Sequence, residues 1–218
     1  MSRSSANILV ENTLIQNGNT NAVRAKCGVT TNCTIRDIAK TALSCVYDIW
    51  WGESVVADGF LFEKNLIDHT SYSPSAPAIE DEDDDYKYCP IVVMGRGGAS
   101  LSDDYLLYDN IVIDGNKLIN RCLDMSNYAI YIRAAKNVKI TNNDFGELDI
   151  EDGLDVFCQG VYFNAVLNAE ISGNKFSVWV QSEIMSGNYK RLITGDRYKN
   201  VYGTDVSKNG VSQIEDRL

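Results

Sequence analysis

The sequence predicts an all-β solenoid, a single domain of 218 residues in which one short unit recurs along the chain. Three observations carry that expectation. A nine-residue unit begins at positions 7, 32, 59, 110, 137, 168 and 200, which are 25, 27, 51, 27, 31 and 32 residues apart. Within each unit the apolar residues are spaced by two. A second short strand precedes most copies and keeps step with them. Spacing by two is strand periodicity, since successive side chains leave opposite faces. Helical repeats of this length would need apolar residues three and four apart, and would be broken by the Gly and Asn at the turns. A unit this small cannot bury its apolar side alone, so its copies must stack and share a core.

The clearest copy is Asn137-Val138-Lys139-Ile140-Thr141-Asn142-Asn143-Asp144-Phe145, followed closely by Asn168 to Phe176 and Asn110 to Leu118. Weaker copies run from Gly59 to Ile67 and from Asn7 to Ile15. Decayed ones begin at Asn32, with Ile35 and Ile38, and at Asn200, with Val201 and Val206. The preceding strands are read at Ala22 to Ala25, Cys45 to Asp48, Ile91 to Met94, Ala129 to Ile132, Gly160 to Phe163 and Arg191 to Thr194. Between the alternating strand and the second apolar pair each good copy carries an asparagine. Asparagine tolerates left-handed backbone and bonds neighbouring backbone, which suits a bend between strands. Stacked from copy to copy, such asparagines can form a hydrogen-bonded ladder.

This pattern resembles the right-handed parallel β-helix of the pectin-lyase-like superfamily, over roughly residues 7 to 206. The resemblance implies a single-domain right-handed parallel β-helix over residues 1–218, of about seven coils. At about 4.8 Å per coil the rod would be on the order of 34 Å long. No apolar capping helix precedes Asn7, so the ends are expected to be covered by partners, as in a homotrimer, or to continue in a longer parent chain.

Composition narrows the function. The chain carries 30 acidic against 20 basic residues, a net charge of −10. Nucleic acid is therefore excluded as a ligand, because phosphate binding requires a basic footprint. No run of 18 apolar residues exists to span a membrane, and the first six residues lack the hydrophobic stretch of a signal peptide. A polysaccharide-acting protein would nevertheless be extracellular or surface-bound. The six cysteines show no CxxC spacing and there is one histidine, which argues against zinc. Cys45 and Cys158 are read as small core hydrophobes, and Cys27 with Cys45 as a pair that adjacent coils could bridge. His69, without an evident partner, is read as a surface residue.

Two features stand out from the repeat. Residues 68–90 form a long polar insertion that contains Glu80-Asp81-Glu82-Asp83-Asp84-Asp85. Such charge blocks are usually solvated, and the alternative is a calcium site. The second feature is a pair of enlarged connections on one edge. Asp48 reaches Gly59 through Trp50 and Trp51, and Met94 reaches Asn110 through Arg96, whereas Ile132 and Phe163 reach the next unit in five residues. Loops on a rigid scaffold commonly carry function.

With Ile130 and Ile132 inward, Tyr131 and Arg133 face outward, and Tyr162 and Asn164 follow one coil later. The substrate-binding candidates are Trp50, Trp51, Arg96, Tyr131, Lys136, Tyr162 and Asn164. Aromatic faces suit sugar rings, and Arg and Asn suit hydroxyls and carboxylates. The face resembles the groove of carbohydrate-active β-helices, which implies polysaccharide as the partner. The competing reading is an ordinary aromatic ladder that favours the sheet. The catalytic pool is Asp48, Glu53, Asp103 and Asp104 for a glycoside hydrolase, which needs two carboxylates across the scissile bond. For a polysaccharide lyase it is Arg133 with Tyr131 and Lys136, with or without calcium. No pectate-lyase or polygalacturonase signature is present. The remaining class is a non-catalytic carbohydrate-binding or structural β-helix of the adhesin or phage tail-spike kind.

Overall fold

The computed structural model describes residues 8–19, 21–24, 27–46, 58–70, 89–95, 108–119, 128–146, 158–176, 180–187 and 214–217. Every one of its strands pairs in parallel, in two curled sheets, and the described residues contain no helix. The chain first lays down β1 (Ile8–Glu11), β2 (Leu14–Gly18) and β3 (Val23–Arg24), then β4 (Gly28–Thr31), β5 (Thr34–Ile38) and β6 (Leu43–Val46). A third passage supplies β7 (Asp58–Glu63), β8 (Leu66–Thr70) and β9 (Ile91–Met94). Then follow β10 (Tyr108–Asp114), β11 (Lys117–Ile119), β12 (Tyr128–Thr141), β13 (Asp144–Phe145), β14 (Cys158–Ser172), β15 (Lys175–Phe176), β16 (Val180–Gly187) and β17 (Ile214–Arg217).

The registers sort these strands into three ladders. Ladder A runs β3–β6–β9–β12–β14–β16–β17, ladder B runs β1–β4–β7–β10–β12–β14, and ladder C runs β2–β5–β8–β11–β13–β15. The long strands β12 and β14 serve ladder A with their first halves and ladder B with their second. Each passage of the chain thus adds one strand to each ladder in turn. This arrangement is compatible with a parallel β-helix.

Alternation decides what is buried. Ile91, Ile130 and Val161 are register partners in ladder A, as are Phe62, Ile113 and Ile140 in ladder B and Ile67, Leu118 and Phe145 in ladder C. All of them belong to one buried cluster enclosed by the three ladders. Parallel strands buried on one side by their own neighbours are rich in β-branched and aromatic residues for this reason.

The corners have their own code. Asn12, Asn32, Lys64, Gly115, Asn142 and Gly173 all have φ between 50 and 68°, and each directly precedes a ladder C strand's turn residue. The connection from ladder B to ladder C thus turns on a left-handed residue in six successive passages, a conformation that Asn and Gly adopt most readily. The next residue in each case is Thr13, Cys33, Asn65, Asn116, Asn143 and Asn174.

The last four of these form the expected ladder. The Oδ1 of Asn116 accepts from the backbone N–H and the Nδ2 of Asn65, each at 3.0 Å. Asn143 receives Asn116 in the same way at 2.9 and 3.0 Å, and Asn174 receives Asn143 at 2.9 Å twice. The second amide hydrogen goes to a main-chain oxygen: Thr30, Phe62, Ile113 and Ile140 respectively, at 2.8–3.0 Å. These asparagines are at most 5% exposed. Their side chains satisfy backbone donors and carbonyls that the bend would otherwise strand in the core.

Cys33 continues the row in place of an asparagine. Its N–H donates to Asn65 Oδ1 at 2.9 Å, and its Sγ lies 3.7 Å from the Val10 oxygen. Val10 is the register partner of Thr30. The second copy of the repeat therefore starts at Cys27, opposite Gly59 and one place before Gly28, rather than at Asn32. The first interval is 20 residues, not 25. Ladder A likewise takes Leu43–Val46 where Cys45 to Asp48 was expected, two residues later than the observed start. The units expected at Arg191 and Asn200 lie outside the described residues.

Candidate functional site

The outer side of ladder A carries a second buried cluster, separate from the interior one. It consists of Cys89, Val92, Tyr128 and Tyr131, with Met94 and Tyr162 packed against it. Val92, Tyr131 and Tyr162 are register partners on three successive strands, and one residue pair further Met94, Arg133 and Asn164 align. Tyr131 and Arg133 therefore lie on the side away from Ile130 and Ile132, as alternation requires. Both are nonetheless only 6% exposed. Asn164 is placed by its backbone alone, as the partner of Arg133.

The three tyrosines form a continuous aromatic group. The Tyr131 and Tyr162 rings stack with centroids 4.9 Å apart and an interplanar angle of 20°. Tyr128 sits 4.6 Å from Tyr162 at 35°, and 6.0 Å from Tyr131 at 53°. These are favourable aromatic separations, each contributing about 0.5–1.5 kcal/mol beyond the area buried. Tyr162 is the member that keeps part of its surface open. What this group offers chemically is a flat apolar edge bearing phenol hydroxyls, beside a guanidinium.

Tyr128 is the residue that sequence reasoning missed. Parity with Ile130 and Ile132 places it inside, yet it packs in the outer cluster, while both Ala129 and Ile130 belong to the interior one. The alternation slips at this point. The β12–β14 register stays unbroken here, with Tyr128 opposite Gln159 and Ile130 opposite Val161, and the pairing that shifts is the next one, β14 with β16, between Cys158 and Gln159. Nothing in the sequence marks it.

Lys136 stands where β12 passes from ladder A to ladder B, not in the tyrosine group. Its Nζ is 2.8 Å from Asp109 Oδ2, and Asn137 Nδ2 donates to Asp109 Oδ1 at 2.7 Å. Burial alone would push the Asp109 carboxyl up, but hydrogen bonds from Lys136 and Asn137 together with the Lys136 charge hold it below its ordinary value. On ladder C, His69 Nδ1 lies 2.9 Å from Asp37 Oδ1 at an exposed corner, so the histidine has a carboxylate partner that its sequence neighbours did not reveal.

The other candidates, Asp48, Trp50, Trp51, Glu53, Arg96, Asp103 and Asp104, lie outside the described residues, as does the acidic stretch Glu80 to Asp85. Among the described residues no group of three or more His, Cys, Asp or Glu could hold a metal ion. Cys27, Cys33, Cys45 and Cys89 are thiols outside any disulfide. Cys45 is buried in the interior cluster, where burial, and then the neighbouring Cys27, push its thiol well above the ordinary range. No helix among the described residues is long and apolar enough to cross a membrane.

The chain matches no protein-family model, no curated protein and no solved structure.

Proposed function

We propose that this chain is a right-handed parallel β-helix of the pectin-lyase-like kind, a single domain of about seven coils. We propose further that the outer side of ladder A recognises polysaccharide. The observation that carries this reading is the stacked Tyr131–Tyr162 pair extended by Tyr128. β-branched residues alone would suit this row of the sheet, whereas three clustered tyrosines build an aromatic group whose partly open ring, Tyr162, can meet a sugar face. Arg133 and Asn164 lie one position further along the same two strands. In this reading a sugar ring meets the platform at Tyr162, and Tyr128 and Tyr131 hold that ring flat.

Cleavage belongs to the same proposal as the contribution of the enlarged connections. Two carboxylates among Asp48, Glu53, Asp103 and Asp104 would supply the acid and the base or nucleophile of a glycoside hydrolase. In a polysaccharide lyase, Arg133 would neutralise a uronate carboxylate, with calcium able to assist. The second reading is a non-catalytic carbohydrate-binding or structural rod. It is favoured by the 6% exposure of Tyr131 and Arg133, which leaves little of either side chain for a ligand to touch.

The test is a polysaccharide panel, with and without calcium, followed by affinity electrophoresis, reducing-end release and absorbance of unsaturated uronic products. Retained binding with reducing ends indicates a hydrolase, and added absorbance indicates a lyase. Tyr162→Ala is expected to weaken binding roughly three- to tenfold, the worth of one aromatic contact. Wild-type affinity in a folded Tyr162→Ala variant would reduce the cluster to a structural ladder.

A further inference from the structure

We infer that Asn17 is a self-modification site, at which the chain loses ammonia and gains a carboxylate. Among the described asparagines with positive φ, which are residues 12, 17, 32, 110, 137 and 142, Asn17 alone is followed by glycine. Its side chain is exposed, and its φ is 59°. Among the described residues it lies in β2, the end strand of ladder C, whose one strand partner there is β5. Strand edges open with the smallest local free energy, and glycine leaves the following nitrogen unshielded.

The chemistry needs only water and hydroxide. The Gly18 amide nitrogen gives its proton to hydroxide and attacks the Asn17 side-chain carbon. A carbon–nitrogen bond forms, and the side-chain amide leaves as ammonia. Water then opens the resulting five-membered imide at one of its two carbonyls, giving aspartate or isoaspartate. The buried ladder asparagines are held against this reaction, since Asn65, Asn116 and Asn143 have both their oxygen and their nitrogen committed.

The location gives the change a consequence. Gln16 pairs with Arg36 and Gly18 with Ile38, so position 17 stands next to Asp37, itself 2.9 Å from His69. Arg36 meanwhile donates to Gln16 Oε1 at 3.0 and 2.8 Å. A new carboxylate one strand spacing from Asp37 repels it and competes for Arg36, which loosens the outer corner of ladder C.

The experiment is to hold the native chain in mildly alkaline buffer for days, beside a urea-unfolded control, and to follow the tryptic peptide containing residues 4–24 by fragmentation mass spectrometry. Asn17 is expected to convert within about tenfold of its rate in the unfolded control, the factor that 1.4 kcal/mol of local opening imposes. Asn12 should stay intact over the same time, and Asn17→Gln should abolish the mass gain. Gly18→Ala is the less clean variant, because its added carbon would lie 3.0 Å from Ile38 Cδ1. An intact Asn17 in the native chain while the control converts would overturn the inference, as would conversion spread equally over Asn12 and Asn17.

Discussion

Replacing Asn116 by alanine tests the asparagine row where it is most completely bonded. The substitution removes four hydrogen bonds, two accepted from Asn65 and one donated each to Phe62 and Asn143. Asn143 Oδ1 keeps the backbone N–H of residue 116. What remains unpaired is the Asn65 N–H and one Asn65 amide hydrogen, and the Phe62 carbonyl loses its side-chain donor, at a place where Asn65 and Asn116 are each 1% exposed. A buried polar group left without its partner costs about 1–3 kcal/mol. The two stranded donors, with the weakened acceptor, come to about 4 kcal/mol, a large share of a typical domain's 5–15 kcal/mol. With a urea slope of about 2 kcal/mol/M the midpoint should fall by about 2 M at unchanged slope. Urea titration followed by far-ultraviolet circular dichroism measures it. A fall worth less than about 1 kcal/mol would mean that the row is ornament to the core rather than the device that closes its corner.

Four further outcomes follow from the same geometry. Cys33→Asn should extend the row by one member, its amide reaching Asn65 Oδ1 and the Val10 oxygen as Asn65 reaches its own partners, and should raise the urea midpoint by about 1 kcal/mol equivalent. Gly28→Ala should cost about 2–4 kcal/mol in the same assay, because a Cβ there would sit 2.1 Å from the Ile8 oxygen at a φ of 132°. Asp109 binds its proton less readily folded than unfolded, so its contribution is full above the ordinary aspartate value of about 4 and drains as pH falls through the lower folded value. Asp109→Asn should therefore flatten the acid limb of stability against pH, and an unchanged limb would deny the Lys136 pairing its effect. Iodoacetamide should label half-buried Cys27 well before Cys33, Cys45 and Cys89, as peptide mapping over time would record.

The sequence revealed the parts of this fold that repeat chemically, and hid those set by register. Asn65, Asn116, Asn143 and Asn174 were legible because each sits at the same place in its unit and needs the same bend. Cys33 was not, since a thiol satisfies the same oxygen only through the fold; the visible Asn32 beside it is the left-handed corner residue, not the start of a unit. The strand at Leu43–Val46 was misplaced by two because a shift of two keeps Cys45 on the interior side either way. Period-two patterning cannot choose between such registers. Outward placement of Tyr131 and Arg133 followed from alternation, but their burial comes from neighbours beyond their own strand. Tyr128 was lost to a local slip in that alternation.

Each passage is held to advance the chain by one strand in every ladder, and a distance between spin labels reads that advance directly. Leu9, Lys139 and Glu170 occupy one row of ladder B, with the rows of β4, β7 and β10 between Leu9 and Lys139, and all three are exposed. Labels at positions 9 and 139 should lie four strand spacings apart, about 19 Å, and labels at 9 and 170 five, about 24 Å. Pulsed electron resonance showing that increase of about 5 Å would bear out the stacked arrangement. Equal distances, or a 9-to-170 separation shorter than 9-to-139, would contradict it.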